Sequence, residues 1–386
     1  MLTPVAPEMR FVLAAVRRDA GAARARADAA AAVADWSRVA QLAAANDVAW
    51  WVARALPPDA VPDAVPEAVH EWLGDAARNV ALASLAGTRE LSALVRLLEA
   101  AGVRAVAYKG PALSVDVHGD AGARGFTDLD LLVAERDRDR ALRALLAAGY
   151  RSPAGYTPAE ERFYSAWEGV AQLARGAELP VELHWRCQAP RYGGPQDPAD
   201  VVARAVPCDM AGGRVLVPAP VDLAVLLALH GVKHAWQSLL WVADFTASML
   251  RPSFDWALLD QRAGEWRVRR AMAEALLVAH DLLALEVPDA WLHVALADAP
   301  VRRLATAACG RILGAAGVED VGQPSTARYD LQWLDGSWAK LRYLALAAAL
   351  PTPQERKMAR FPDALLPLAY PVRAWRLLHH AFGRRA

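Results

Sequence analysis

Lysine is scarce in this chain. It occurs four times, at Lys109, Lys233, Lys340 and Lys357, among 43 basic residues. Arginine supplies the remainder, which makes each lysine conspicuous. Cysteine is scarcer still: Cys187, Cys208 and Cys309 show no C-x-x-C spacing, which argues against both a zinc ribbon and a disulfide framework. No charge of either sign is in excess, since 43 acidic residues balance the 43 basic ones. A broad nucleic-acid footprint needs a basic surplus, so a nucleic-acid partner is not favoured, although a small basic groove is compatible with neutrality. No apolar run approaches the ~18–20 residues that span a bilayer. The first twenty residues contain Pro4, Pro7, Glu8, Arg10, Arg17 and Arg18 and hold no uninterrupted apolar stretch of a secretory signal. A cytoplasmic protein with no membrane partner is the expectation.

What the chain does have is length and apolar content. With 386 residues, 55% apolar and 14 Trp, it can bury a substantial core in two or three domains. Abundant alanine favours helix. Residues 8–56 read as helices. Pro57-Pro58, Pro62 and Pro66 then break the pattern, and 67–101 reads as one long helix, with Leu82, Leu85, Leu91, Leu94 and Leu98 near helical spacing and Gly102 as its stop. Short strands are expected at 103–108 and 127–133, and a hairpin at 170–174 and 181–186 around Arg175-Gly176-Ala177-Glu178. Short helices follow the first two strands, at 111–118 and 135–148. Residues 187–220 form a Pro/Gly-rich connection with a short strand at 215–217. Beyond it helices run over 221–250, 255–286, 289–315, 331–350 and 368–382. The fold class is α+β: a small mixed sheet flanked by N-terminal and C-terminal helical regions, dividing the chain into 1–101, 102–218 and 219–386.

The chemistry concentrates in the sheet segment. Asp128 and Asp130 stand two residues apart in an otherwise apolar run, Leu129, Leu131, Leu132 and Val133. On a strand, i and i+2 share a face, so both carboxylates project together while the leucines between them enter a core. Like charges side by side are unfavourable unless a cation lies between them, and a divalent metal is the simplest such cation. Upstream, Lys109-Gly110-Pro111 reads as a strand end, a turn and a helix start, with a lysine beside a seat for phosphate. Downstream, Val181-Glu182-Leu183-His184-Trp185 places Glu182 and His184 on one strand face. Carboxylates on adjacent strands beside a phosphate-binding turn suit metal-assisted nucleotidyl transfer, in which two ions about 4 Å apart clamp the attacking and leaving oxygens.

At this point the chain resembles a known family. Lys109-Gly110-Pro111-Ala112-Leu113, then Arg124, then Asp128-Leu129-Asp130-Leu131-Leu132-Val133 and later Glu182-Leu183-His184-Trp185 are similar to the motifs of the bacterial uncharacterised nucleotidyltransferase family, within the polymerase-beta-like nucleotidyltransferase superfamily. So are Leu229-His230-Gly231-Val232-Lys233-His234-Ala235-Trp236, with Leu240-Trp241 and Asp244 after it, and Ala349-Leu350-Pro351-Thr352-Pro353. The chain departs from the pattern at His118, where the family commonly has Tyr. The resemblance implies an enzyme that moves a nucleoside monophosphate from an NTP to a hydroxyl-bearing acceptor, whether small molecule, sugar, peptide or macromolecule, in a specialised biosynthetic pathway. Asp128, Asp130 and Glu182 would be its catalytic metal ligands, for a two-ion Mg²⁺ site that Mn²⁺ can also fill. Lys109 and Gly110 would cradle the triphosphate. Arg124 either touches phosphate or anchors its own loop, and His184 is either a base, a partner orienting Glu182, or a structural histidine. His230 and His234 have metal-ligand spacing but lack the glutamate of an H-E-x-x-H motif. With Lys233 they either cap the cleft near phosphate or acceptor, or pack a seam between domains. Two rival functions remain: a catalytically weak nucleotide-binding module that regulates or scaffolds a partner, and a toxin-type enzyme that modifies RNA or protein.

Overall fold

The computed structural model describes residues 5–56, 65–252, 254–314, 324 and 326–383. Pro57-Pro58, Pro62 and the Arg384-Arg385 tail lie outside them. Four helices open the chain: α1 (Pro7–Val16), α2 (Ala22–Ala30), α3 (Trp36–Ala45) and α4 (Ala49–Ala55). Helix α5 (Glu67–Ala100) follows with 34 residues, about 50 Å of helix. The middle of the chain runs β1 (Val106–Ala107), α6 (Gly110–Leu113), β2 (Leu129–Leu132), α7 (Arg138–Ala147), α8 (Pro158–Glu168), β3 (Val170–Leu173), β4 (Val181–His184), α9 (Ala199–Arg204), β5 (Val206–Met210) and β6 (Gly213–Val217). Helices complete it: α10 (Pro220–Lys233), α11 (Leu239–Met249), α12 (Trp256–Glu265), α13 (Arg269–Leu283), α14 (Asp289–Ala297), α15 (Ala299–Leu313), α16 (Ala327–Trp333), α17 (Gly336–Ala349), α18 (Pro353–Met358) and α19 (Ala369–Gly383). The class is α+β with a small mixed sheet between helical regions. No helix among the described residues is long and apolar enough to cross a membrane.

The four-stranded sheet has the order β1-β2-β4-β3. Its outer pairs are antiparallel, and its central pair, β2 with β4, is parallel. Alternation sets its faces: Leu129, Leu131, Val181 and Leu183 are fully buried, and they pack with Leu91, Leu94 and Leu98 of α5 and Leu145 of α7. The connection expected to carry little structure contains α9 and a complete second hairpin, β5 with β6. Pro207 inside β5 hides it in the sequence, because a proline reads against a strand interior.

A second core joins the two ends of the chain. Phe11, Val39 and Val52 from the first helices pack in one cluster with Leu223, Phe245, Met272 and Cys309 from the later ones. Helix α5 reaches both cores, with Val69 and Leu73 in this one and Leu91, Leu94 and Leu98 in the other. Its middle corrects the expected apolar stripe. Leu82 and Leu85 are exposed, and Ser84, Gly87 and Thr88 face inward instead. The small residues are needed there because a Cβ on Gly87 would lie 2.5 Å from the Phe126 ring.

Candidate active site

The parallel register sets Asp130 opposite Glu182 and Leu132 opposite His184. Because side chains repeat every second residue, Asp130, Glu182 and His184 emerge on the same face. There the His184 Nε2 lies 3.1 Å from Asp130 Oδ1 and 3.2 Å from Glu182 Oε2. On the far side, β3 places Gln172 opposite Glu182, and the Gln172 amide donates to Glu182 Oε1 at 2.7 Å. At the near edge the chain leaves β1 through Tyr108 and Lys109. The Lys109 ammonium donates to Asp130 Oδ1 at 2.9 Å, and the Tyr108 ring stands edge-on to His184 with centroids 5.4 Å apart.

Two counter-charges that the sequence does not reveal therefore already compensate Asp130. Burial opposes its charge, but Lys109 and the His184 ring outweigh it and hold the carboxyl far below the usual range. His184 responds in kind: burial opposes its charged form, yet the hydrogen bonds to Asp130 and Glu182 raise its pKa. Glu182 is lowered, chiefly by His184. Asp128 sits one residue before β2, half-buried on the wall of the same cavity. Burial and then the Asp130 charge push its pKa up. Asp130, Glu182 and His184 bring ligand atoms within 4.8 Å of one another, the one such grouping of three among the described residues, and Asp128 stands outside it.

Lys109, Asp128, Glu182 and His184 line a cavity of about 550 Å³. Helix α10 roofs it with Leu226, Leu229, His230 and Lys233, continued by His234. Burial, followed by the Lys109 charge, pushes His230 well below its ordinary value. Burial and then Lys233 bring His234 down to about 4, so both rings are neutral near pH 7. Their centroids lie 4.7 Å apart, with Trp241 packed 4.9 Å from His230 and 5.6 Å from His234. Burial, then Lys109, lowers Lys233, and no carboxylate among the described residues pairs with it. The opposite wall carries Ser152, Tyr156, Glu161 and Tyr164. It is held from outside by Arg356, which binds Glu160 at 2.7 Å and lies 4.6 Å from the centre of the Tyr156 ring.

Three expected site residues do not line the cavity. Asp130 is fully buried behind Lys109 and His184, which do line it. Gly110, at φ 61°, makes the turn between β1 and α6 and is buried against the Asp128 carbonyl. Arg124 is buried elsewhere, where its Nε donates to Asp244 Oδ2 at 2.7 Å, and His118 takes the other oxygen at 2.8 Å. Burial opposes the charge on Asp244, but Arg124 and His118 prevail and lower it. This triad ties the segment leading into β2 to α11. Conversely, Gln172 and Tyr108 escaped the sequence reading. The hairpin spacing places Gln172 opposite Glu182, and that was the available signal.

The donor set fits a divalent ion. Asp130 Oδ2 is buried with no hydrogen-bond partner, and a buried carboxylate oxygen left unpaired is costly unless something else satisfies it. Carboxylate oxygens suit Mg²⁺ and Mn²⁺; imidazole nitrogen suits softer ions, which favours His184 as the group that orients both carboxylates. Comparison with curated proteins finds no match, and neither does comparison with solved structures. The model of the uncharacterised nucleotidyltransferase family matches residues 32–284, from the segment before α3 to just beyond α13. A match over that much of the chain makes this protein a member of the uncharacterised nucleotidyltransferase family.

Proposed function

We propose that the protein transfers a nucleoside monophosphate from an NTP to a hydroxyl of an acceptor, with Asp128, Asp130 and Glu182 holding divalent metal, Mg²⁺ by preference and Mn²⁺ as a substitute. The observation that carries this reading is the pairing of Asp130 with Glu182 on parallel strands, one Asp130 oxygen buried and unpartnered, beside a cavity with two lysines on its wall. In the transfer, the acceptor hydroxyl gives its proton to water, its oxygen forms a bond to the α-phosphorus, the bond to the bridging oxygen breaks, and pyrophosphate leaves. Metal bound at the carboxylates would neutralise phosphate charge and lower the pKa of the acceptor hydroxyl.

The chain's own residues supply position and charge. Lys109 faces the cavity and holds Asp130, so it can also meet the triphosphate. Lys233 enters from the roof with no carboxylate paired to it among the described residues, which suits a polyanion. His184 and Gln172 fix the carboxylate orientations. The neutral His230 and His234 leave the roof without further positive charge and present polar ring atoms toward the substrates. The wall of Ser152, Tyr156, Glu161 and Tyr164 is the region left for the acceptor. A module that only bound nucleotide would not need a buried carboxylate pair of this kind, so the regulatory reading is disfavoured. The test is incubation of the pure protein with each labelled NTP, Mg²⁺ and cell extract, followed by mass spectrometry. An acceptor heavier by one nucleoside monophosphate, absent with Asp130→Asn, is expected. Absence of any such product together with absence of NTP binding would overturn the proposal.

A further inference from the structure

A second cavity, of about 1050 Å³, lies between α1, α2, α4, the turn after α6 and the end of α11, and it shares no lining residue with the first. Five arginines line it: Arg17, Arg18, Arg26, Arg54 and Arg251. Two are neutralised, Arg17 by Asp19 at 2.7 Å and Arg251 by Asp116. The other three have no carboxylate partner among the described residues. Arg18 spends two donors on the carbonyls of Val117 and His118, at 3.0 and 3.1 Å, and lies 4.9 Å from the Trp51 ring centre. Arg54 lies 4.9 Å from the Trp50 ring centre. Arg26 completes the set from α2.

Three guanidiniums without counter-ions around one concavity repel one another, and an anion would relieve that repulsion. A guanidinium also matches phosphate oxygens in a planar, two-pronged way. The indoles and the guanidiniums resting on them are surfaces on which a flat base stacks. A neutral chain that gathers three unpaired arginines around one open concavity suits a compact ligand better than a long strand, whose track would extend beyond the cavity.

We propose that this cavity is a second ligand site, which takes a nucleoside polyphosphate, the phosphates against Arg18, Arg26 and Arg54 and the base against the Trp50 side. The site is independent of the transfer chemistry. Titration calorimetry with ATP in Mg²⁺ tests it. The unaltered protein is expected to bind two equivalents. The double variant Arg26→Ala/Arg54→Ala should retain one, with the other weakened at least tenfold. Neither side chain makes a hydrogen bond among the described residues, so the fold should survive, and the helical circular dichroism of the variant checks this. Lys109→Ala should keep the second event, which separates failure here from failure of the active-site reading. Trp50→Leu should weaken ATP while leaving inorganic tripolyphosphate unchanged. A single equivalent that the folded double variant retains at full affinity, unchanged binding of both equivalents in that variant, or binding of a single-stranded RNA oligonucleotide without ATP would each overturn the proposal; a single equivalent that the double variant loses would overturn the active-site reading alone.

Discussion

Asp130 carries two burdens, and its substitution separates them. It lies behind Lys109 and His184, which line the cavity, and it is the counter-ion of Lys109, whose side chain is only 11% exposed. On the sequence alone, removing charge from two neighbouring aspartates would relieve repulsion and leave the fold intact. With Lys109 and His184 in place the sign reverses. Asp130→Asn is expected to lower transfer by roughly 10²–10³-fold or more and to lose stability, by up to about 3–5 kcal/mol if the lysine stays charged and unpaired. Urea denaturation of the metal-free protein reads the second effect without the first. An unchanged midpoint would show that Lys109 finds water or another partner. Lys109→Ala should weaken NTP binding by about 1.5–3 kcal/mol, the worth of a charge-assisted contact. Calorimetry that gives wild-type affinity would remove this lysine from the phosphate site. Strand alternation is enough to read Asp130, Glu182 and His184 from sequence, because period two needs no knowledge of neighbours. Arg124 could not be read in this way. Its carboxylate, Asp244, lies on a distant helix, and no local pattern announces such a pair.

Elements were legible where a single periodicity governed them, and less so where close packing did. The long helix, the strands and the hairpin could be placed, yet the inward face of α5 was misjudged because small residues at a tight approach look polar in sequence. The roof shows the same effect. Gly231 lies on α10 directly under the indole of Trp236, which is fully buried. The chain reaches that position through two consecutive left-handed residues, Ala235 at φ 54° and Trp236 at φ 48°. A methyl group on Gly231 must displace the indole. Gly231→Ala is therefore expected to cost about 1–3 kcal/mol and to move His230, Lys233 and His234, raising KM for NTP while the sheet carboxylates stay in register. A melting temperature equal to that of the unaltered protein would mean that Trp236 can yield.

Across the whole molecule the first helices share one core with α10 to α17, and α5 runs from it into the core of the sheet. Glu274 sits inside the shared core, fully buried, with neither carboxyl oxygen hydrogen-bonded among the described residues. Burial raises its pKa from an ordinary 4.5 to about 8, against a smaller opposing pull from Arg311. The folded state thus keeps a proton that the unfolded chain gives up, and stability is full below about pH 4.5 and declines as pH rises through about 8. The loss by neutral pH is on the order of 3 kcal/mol. Glu274→Gln should flatten that slope in denaturation midpoints taken between about pH 5 and about pH 8; a slope that persists places its origin elsewhere. The parallel pairing of β2 with β4 has a different kind of consequence, one of time. Parallel strands cannot be joined by a tight turn; here α7, α8 and β3 must all be made and passed before Asp130 meets Glu182. Contacts so remote along the chain form slowly. A refolding chain should regain its helical signal well before any turnover, and a nascent chain that ends short of β4 is a helical body with no working centre.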